Sequence, residues 1–321
     1  MRNNQRPATQ VARQKTLKTE ISCVGTGLHS GSKTRMTLRP AEAGTGIVFR
    51  RTDIAGSGAI PANWANVVDT RLCSRLANAE GASVATVEHL MSALAGLQVD
   101  NCTIEIDGPE VPAMDGSASP FVFLLDCAGI EEQAAPRRAI EVLEPVSVGG
   151  DGKQVVLEPA SGFRLSCMID FPSAAIARQS IEFALDAAAF REEVSRARTF
   201  GFAREVEQLR AAGLARGGSL DNAVVVDGDR VLNREGLRFP DEFVRHKLLD
   251  AIGDLSLAGA PLIAYYRSYC GGHKLNHAVL EKLFADPSAY EIVTSEHARR
   301  PVRGHGQMAR AAAAAFAPDT N

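Results

Sequence analysis

The stretch Glu242-Phe243-Val244-Arg245-His246-Lys247-Leu248-Leu249-Asp250-Ala251-Ile252-Gly253-Asp254-Leu255 reads as a helix. Phe243, Leu248, Leu249, Ile252 and Leu255 recur at helical spacing, and Gly253 marks a weak point near the end. Residues four apart lie one above the other on a helix, so His246, Asp250 and Asp254 form one polar stripe on an otherwise apolar element. An imidazole and a carboxylate stacked in this way can grip one divalent metal. The same pair can also be a hydrogen-bonded couple on a solvated face, and H-x-x-x-D alone leaves both open.

A second stretch bears on that choice. Thr86-Val87-Glu88-His89-Leu90-Met91-Ser92-Ala93-Leu94-Ala95-Gly96-Leu97 is rich in Ala and Leu and also reads as a helix. Ser83 or Thr86 supplies the start signal and Gly96 the end. His89, like His246, breaks an apolar helix, and in both stretches a Gly follows seven residues after the His. A ligand from His89 would complete a three-residue site, and zinc held by three protein groups keeps a fourth corner for water. Neighbours on a helix point roughly 100° apart. Glu88 would therefore lie beside the metal rather than on it, placed to take a proton from that water.

The chain has 321 residues, room for two domains of ordinary size. Its 45% hydrophobic and 23% charged content describe a soluble globular protein. A formal charge of −3 gives no reason to expect a nucleic-acid partner. The six cysteines are scattered singly without C-x-x-C, which argues against a disulfide framework and for reduced thiols in the cytoplasm. Residues 1–15 are polar and basic, no secretory signal, and are expected to be a flexible extension. No run approaches the roughly 18 apolar residues of a membrane span, although peripheral contact with a membrane stays open.

Outward from the two helices, strand-like alternation fills residues 16–60, with a glycine-rich turn at Gly25-Thr26-Gly27-Leu28-His29-Ser30-Gly31. It is no dinucleotide fingerprint, because no G-x-x-G runs on into a helix. Asn101 to Ile106 alternates as a strand and Pro120 to Gly129 reads as a helix. The polar run 131–138 lacks periodicity and is the expected boundary between domains 16–134 and 138–290. Strands resume at 139–142, 146–148, 154–157 and 164–169, helices at 186–194 and 205–212, and a strand at 223–226. After the main helix come a strand at 262–266, the turn Gly271-Gly272-His273 and a helix from Asn276 to Phe284. Residues 295–321 form an Arg- and Ala-rich tail. Each half thus runs strands, a His-bearing helix, then strand and helix again. The expectation is an α+β fold of two similar two-layer α/β sandwich domains, a pseudo-duplication, with the site at their junction.

His273 follows two glycines, which let a turn hold a side chain outward, and it suits a general acid opposite Glu88. The hydroxyl of Thr199, in Arg198-Thr199-Phe200-Gly201, can donate to a developing oxyanion or simply pack in a strand.

At this point the motifs fall into a known pattern. Thr86-Val87-Glu88-His89-Leu90, Met114-Asp115-Gly116-Ser117, Ser195-Arg196-Ala197-Arg198-Thr199-Phe200-Gly201, Phe243 to Leu255 and Gly272-His273 resemble the bacterial UDP-3-O-acyl-N-acetylglucosamine deacetylases. Those enzymes catalyse the committed step of lipid A synthesis, and the resemblance covers about residues 15 to 290. It implies a zinc (Zn2+) amidase in which His89, His246 and Asp250 hold the metal and Glu88 is the base. It further implies that a charged His273 steadies the oxyanion and protonates the leaving amine, that Asp254 orients His273, and that Thr199 contacts the oxyanion. Lys247 would serve an acylated UDP-sugar substrate. An insert near 197–226 would build an apolar acyl passage, with Phe200, Phe202, Gly218, Ser219, Leu220 and Val225 as its residues. His29, Leu72 and Cys73 would flank the site from the first domain. A monomer with peripheral inner-membrane contact is expected. Some relatives carry Lys three positions before the His of the Gly-His turn; here that residue is Cys270, which puts one phosphate contact in question. A zinc hydrolase of another amide and a non-enzymatic module pinned by metal are the alternatives, and the absence of H-E-x-x-H argues against the common metalloprotease layout.

Overall fold

A computed structural model describes residues 12–294. The Arg/Ala-rich tail and the first eleven residues of the expected extension lie outside the described residues. In chain order the first half contains β1 (Arg13–Leu17), β2 (Ile21–Thr26), β3 (Lys33–Pro40), β4 (Ile47–Arg51), β5 (Ala59–Pro61), β6 (Val67–Asp69), β7 (Arg75–Ala77), β8 (Ser83–Val84), α1 (Glu88–Gly96), β9 (Cys102–Ile106) and α2 (Ser119–Ala128). The second contains β10 (Ile130–Pro136), β11 (Arg138–Val142), β12 (Val146–Gly150), β13 (Lys153–Glu158), β14 (Phe163–Asp170), β15 (Arg178–Ala184), α3 (Ala187–Ala189), β16 (Phe200–Phe202), α4 (Ala203–Ala211), β17 (Val224–Asp227), β18 (Arg230–Val231), α5 (Glu242–Ser256), β19 (Leu262–Tyr269), α6 (His273–Phe284) and β20 (Tyr290–Thr294).

The duplication lies in the pairing of the strands. In the first half β2, β3, β9, β4 and β5 lie side by side, antiparallel throughout except that β4 and β9 are parallel. In the second half β12, β13, β19, β14 and β15 repeat that order and those directions, with the parallel pair at β14 and β19. The strand after each His-bearing helix is therefore central to its sheet. Alternate residues of these strands are buried, Cys102, Ile104 and Ile106 in β9 and Leu262, Ala264 and Tyr266 in β19. That period-two burial gives each sheet one face toward the helices. Among the described residues no helix is long and apolar enough to cross a membrane.

α1 and α5 pack on each other where the two halves meet. At their closest approach stands Gly253, where an added Cβ would lie 2.0 Å from the Glu88 carbonyl oxygen. Gly253 lies near the end of α5, which runs on to Ser256, and its place there is one of close packing. The glycine costs about 1 kcal/mol of helix propensity and lets the backbone that carries the Asp250 stripe reach the backbone that carries Glu88.

Other expectations need correction. Neither Ser83 nor Thr86 caps α1: Ser83 belongs to β8, and the cap residue Val87 makes no side-chain bond. Thr86 adopts φ +57°, rare for a β-branched residue, and its hydroxyl donates to Glu110 Oε1 at 2.8 Å. The polar run after residue 130 is strand β10, half-buried to exposed along its length and paired with β1. Arg13–Lys15, expected in the extension, are part of β1. β15, absent from the expected strands, turns half-buried Ile181 and buried Phe183 to the core and Ser180, Glu182 and Ala184 outward. His273 is the first residue of α6 rather than part of a turn.

Candidate metal centre and active site

His89 in the first turn of α1 and His246 in α5 place their rings 5.0 Å apart, nearly perpendicular. Asp250, one turn beyond His246, points Oδ1 at both, 3.2 Å from His246 Nε2 and 3.6 Å from His89 Nε2. The three ligand atoms lie within 4.8 Å of one another, and all three residues are buried. Asp250 Oδ1 has no hydrogen-bond partner, an expensive state for a buried carboxylate oxygen. His246 Nδ1–H donates to the Ala197 carbonyl at 3.1 Å, which leaves Nε2 with its lone pair directed at the cluster. Two imidazoles and a carboxylate with an orphan oxygen fit a divalent metal, and the residues form a candidate site for one.

Beside this cluster runs a chain of polar contacts. The Ser74 backbone N–H donates to Glu88 Oε2 at 3.0 Å, and the Ser74 hydroxyl donates to Asp254 Oδ1 at 2.6 Å. Asp254 Oδ2 accepts from His273 Nδ1 at 2.8 Å and from Asn276 Nδ2 at 2.8 Å. The Tyr266 hydroxyl fixes Asn276 in turn, donating to its Oδ1 at 2.6 Å. With Nδ1 so committed, His273 turns Nε2 toward Glu88 Oε1, 3.9 Å away. Ser74, Asn276 and Tyr266 were beyond sequence reasoning, because a lone Ser or Tyr carries no spacing signal.

Burial pushes the Glu88 carboxyl up to about 8, against the pull of His273. Burial alone would lower His273, but the charge and hydrogen bond of Asp254, with Glu88 and Asp250 behind, lift it to about 9. Asp250 stays well below the carboxylate range: His246 and Lys247 outweigh its burial. Lys247 donates from Nζ to Asp250 Oδ2 at 2.6 Å, so it is tied to the cluster itself. Burial lowers His89 and His29. It also pushes the Cys73 thiol up to about 12, which makes Cys73 a wall and not a nucleophile.

Residues 14–285 match the family described as LpxC, UDP-3-O-acyl N-acetylglycosamine deacetylase. The chain belongs to this family. It is 53% identical over 293 residues to the UDP-3-O-acyl-N-acetylglucosamine deacetylase of Myxococcus xanthus, covering 91% of this chain and 92% of that one. The enzyme of the same name from Phenylobacterium zucineum is 53% identical over 282 residues, covering 88% of this chain and 96% of its own. The one from Acidithiobacillus ferrooxidans is 52% identical over 291 residues, covering 90% and 95%.

The remaining residues singled out from the sequence lie mainly around β16 and around the glycine-rich turn. Phe200 in β16 sits against the His89–His246–Asp250 cluster, its ring 6.2 Å from His246 and 5.0 Å from Phe243. Phe171 bridges Phe200 and Phe202 at 5.8 and 6.0 Å, so an aromatic wall leads away from the triad. β16 pairs with β17, placing Val225 opposite Gly201. Thr199 sits just before β16, its N–H donating to the Gly116 carbonyl at 2.8 Å. Gly116 has φ +83°, and a Cβ there would meet the Asn222 carbonyl oxygen at 2.0 Å. The glycine-rich turn and the insert hold each other: Arg216 N–H donates to His29 O and Gly217 N–H to Leu28 O. The Glu110 carboxylate anchors that turn, accepting from the backbone N–H groups of His29 and Ser30. His29 Nδ1 is buried without a hydrogen-bond partner. Gly218 donates to Ala215 O, while Ser219 N–H is held by Asn222 Oδ1. Leu72 and Leu220 are 42% and 44% exposed. Cys270 adopts φ +49° at the end of β19.

Proposed function

We propose that this chain hydrolyses the 2-acetamido group of a UDP-3-O-acyl-N-acetylglucosamine, releasing acetate, as the committed step of lipid A biosynthesis. The observation that carries the reading is the unpartnered Asp250 Oδ1 facing two imidazoles, in a chain of the deacetylase family. His89, His246 and Asp250 would hold zinc. When bound, the ion would supply Lewis acidity toward water and the acetamido carbonyl, and a positive charge that draws the Glu88 carboxyl into its ionised form. Glu88, held by Ser74, takes the proton from the attacking water. His273, held charged by Asp254, faces the oxygen that gains charge and then protonates the departing amine. The Thr199 hydroxyl donates to the same oxygen. Lys247 and His29 serve the sugar nucleotide, with Leu72 and Cys73 at its edge. Phe200, Phe202, Gly218, Ser219, Leu220 and Val225 receive the acyl chain; the aromatic wall beside His246 supports this. Residues 16–134 and 138–290 are the two domains of this reading. The protein works as a cytoplasmic monomer that meets its acylated substrate at the inner membrane.

Metal analysis paired with an acetate-release assay tests this. Purified protein should carry a single equivalent of zinc and deacetylate the acylated UDP-sugar but not N-acetylated peptides. Hydrolysis of the peptides alone would favour another amidase, and no hydrolysis at all would leave a metal-pinned module.

The charge on His273 gives a pH prediction. Deacetylation should fall as pH rises through about 9, where the imidazole loses its proton. In Asp254→Asn the negative partner is gone and burial pulls the imidazole down, so the fall should begin at lower pH. An alkaline limb that stays in place in Asp254→Asn would contradict the role given to His273.

A further inference from the structure

We infer that the buried Arg198–Glu242 pair is a positioning element for the metal ligands, locking the segment that buttresses His246 onto the helix that carries His246. This rests on the metal reading given above. Arg198 is 2% exposed and Glu242 fully buried. Glu242 Oε1 accepts from the Arg198 backbone N–H at 2.9 Å and from its Nε at 2.8 Å. Oε2 accepts from Arg198 Nη2 at 3.1 Å and from the Arg238 backbone N–H at 2.6 Å. The other edge of the guanidinium is used as well, Nη1 on Glu235 Oε1 at 2.7 Å and Nη2 on the Gly236 carbonyl at 2.8 Å.

These bonds close a loop with little slack. Glu242 opens α5, and His246 stands one turn above it. His246 Nδ1 donates to the carbonyl of Ala197, and Ala197 is bonded to Arg198, which returns to Glu242. One carboxylate thus fixes both the backbone that carries the imidazole and the acceptor that orients its ring. Thr199, on the other side of Arg198, is fixed through its own N–H to Gly116 and its carbonyl to Val224 N–H. A buried ion pair is a weak source of net stability, because desolvation offsets the attraction. What this one supplies is geometry. Lysine cannot replace it, since a single ammonium cannot reproduce the fork that occupies both Glu242 oxygens.

The test measures metal retention separately from folding. Zinc-loaded parent and Arg198→Lys proteins are challenged with a chelator, and thermal unfolding of the metal-free forms is recorded alongside. Loss of a group that orients a metal-binding His typically costs 10–100-fold in metal affinity. Arg198→Lys should therefore bind zinc about 10–100-fold more weakly. Asp170→Asn, which removes an exposed ion pair with Arg178, should match the parent. If Arg198→Lys does not accumulate as folded protein, Glu242→Asp, which keeps the charge but shortens its reach, is read in the same way. A variant that melts lower without metal yet holds zinc as tightly as the parent overturns the inference. A parent that binds no zinc overturns the metal reading instead.

Discussion

Asp250→Ala is expected to strip the protein of its metal and, with it, of its activity. Asp250 Oδ1 has no partner except the two imidazole nitrogens that face it, and Oδ2 is taken by Lys247 at 2.6 Å. Without the carboxylate, two imidazoles remain beside a largely buried ammonium. Apparent zinc affinities of four-ligand protein sites correspond to about 10–16 kcal/mol. One ligand's share is then roughly 3–4 kcal/mol, or about 10²–10³-fold in affinity. The lost negative charge worsens this, because Lys247 then repels the cation. Elemental analysis of the purified variant should find almost no zinc, and full occupancy would contradict the ligand set. Asp250→Asn should fall between, since it keeps an oxygen ligand but not the charge.

That prediction descends from period-four spacing in one helix, the part of the site most legible in the sequence. A helix fixes the relative direction of His246, Asp250 and Asp254 within a few residues, so no tertiary knowledge was needed to align them. His89 was legible for a similar reason, as a lone polar residue in an apolar helix. Contacts between distant segments were not. Arg198 and Glu242 lie 44 residues apart, and nothing local in either stretch marks a partner. Ser74 joins Glu88 to Asp254 from a loop whose sequence has no periodicity. The packing role of Gly253 is not legible in the sequence, because a helix-weakening glycine and a close-packing one look identical until the second helix is in place. The duplicated sheets show the same limit. Their shared strand order is a matter of pairing between strands, which no pattern within a single strand carries.

Glu88→Gln separates the base from the metal, and kcat should drop by roughly 10²–10⁴, the usual worth of a positioned proton-transfer group. That range corresponds to about 3–5 kcal/mol of barrier. The amide keeps the shape of the carboxylate and an oxygen for the Ser74 N–H, so the first turn of α1 and His89 should stay in register. Zinc content should therefore match the parent, and KM should change little, because the proton transfer occurs only on the way to the transition state. Glu88→Ala should show the same drop and also leaves the Ser74 N–H without its acceptor. Near-normal turnover in either variant, measured with zinc content in hand, would remove Glu88 from the mechanism. A second signature belongs to the same change. The Glu88 charge is one of those that lift His273, so in Glu88→Gln the residual activity should lose its alkaline limb at lower pH than the parent does. Lower kcat, intact metal and an earlier alkaline fall form a combination that loss of folding would not produce, because unfolding would release the metal as well.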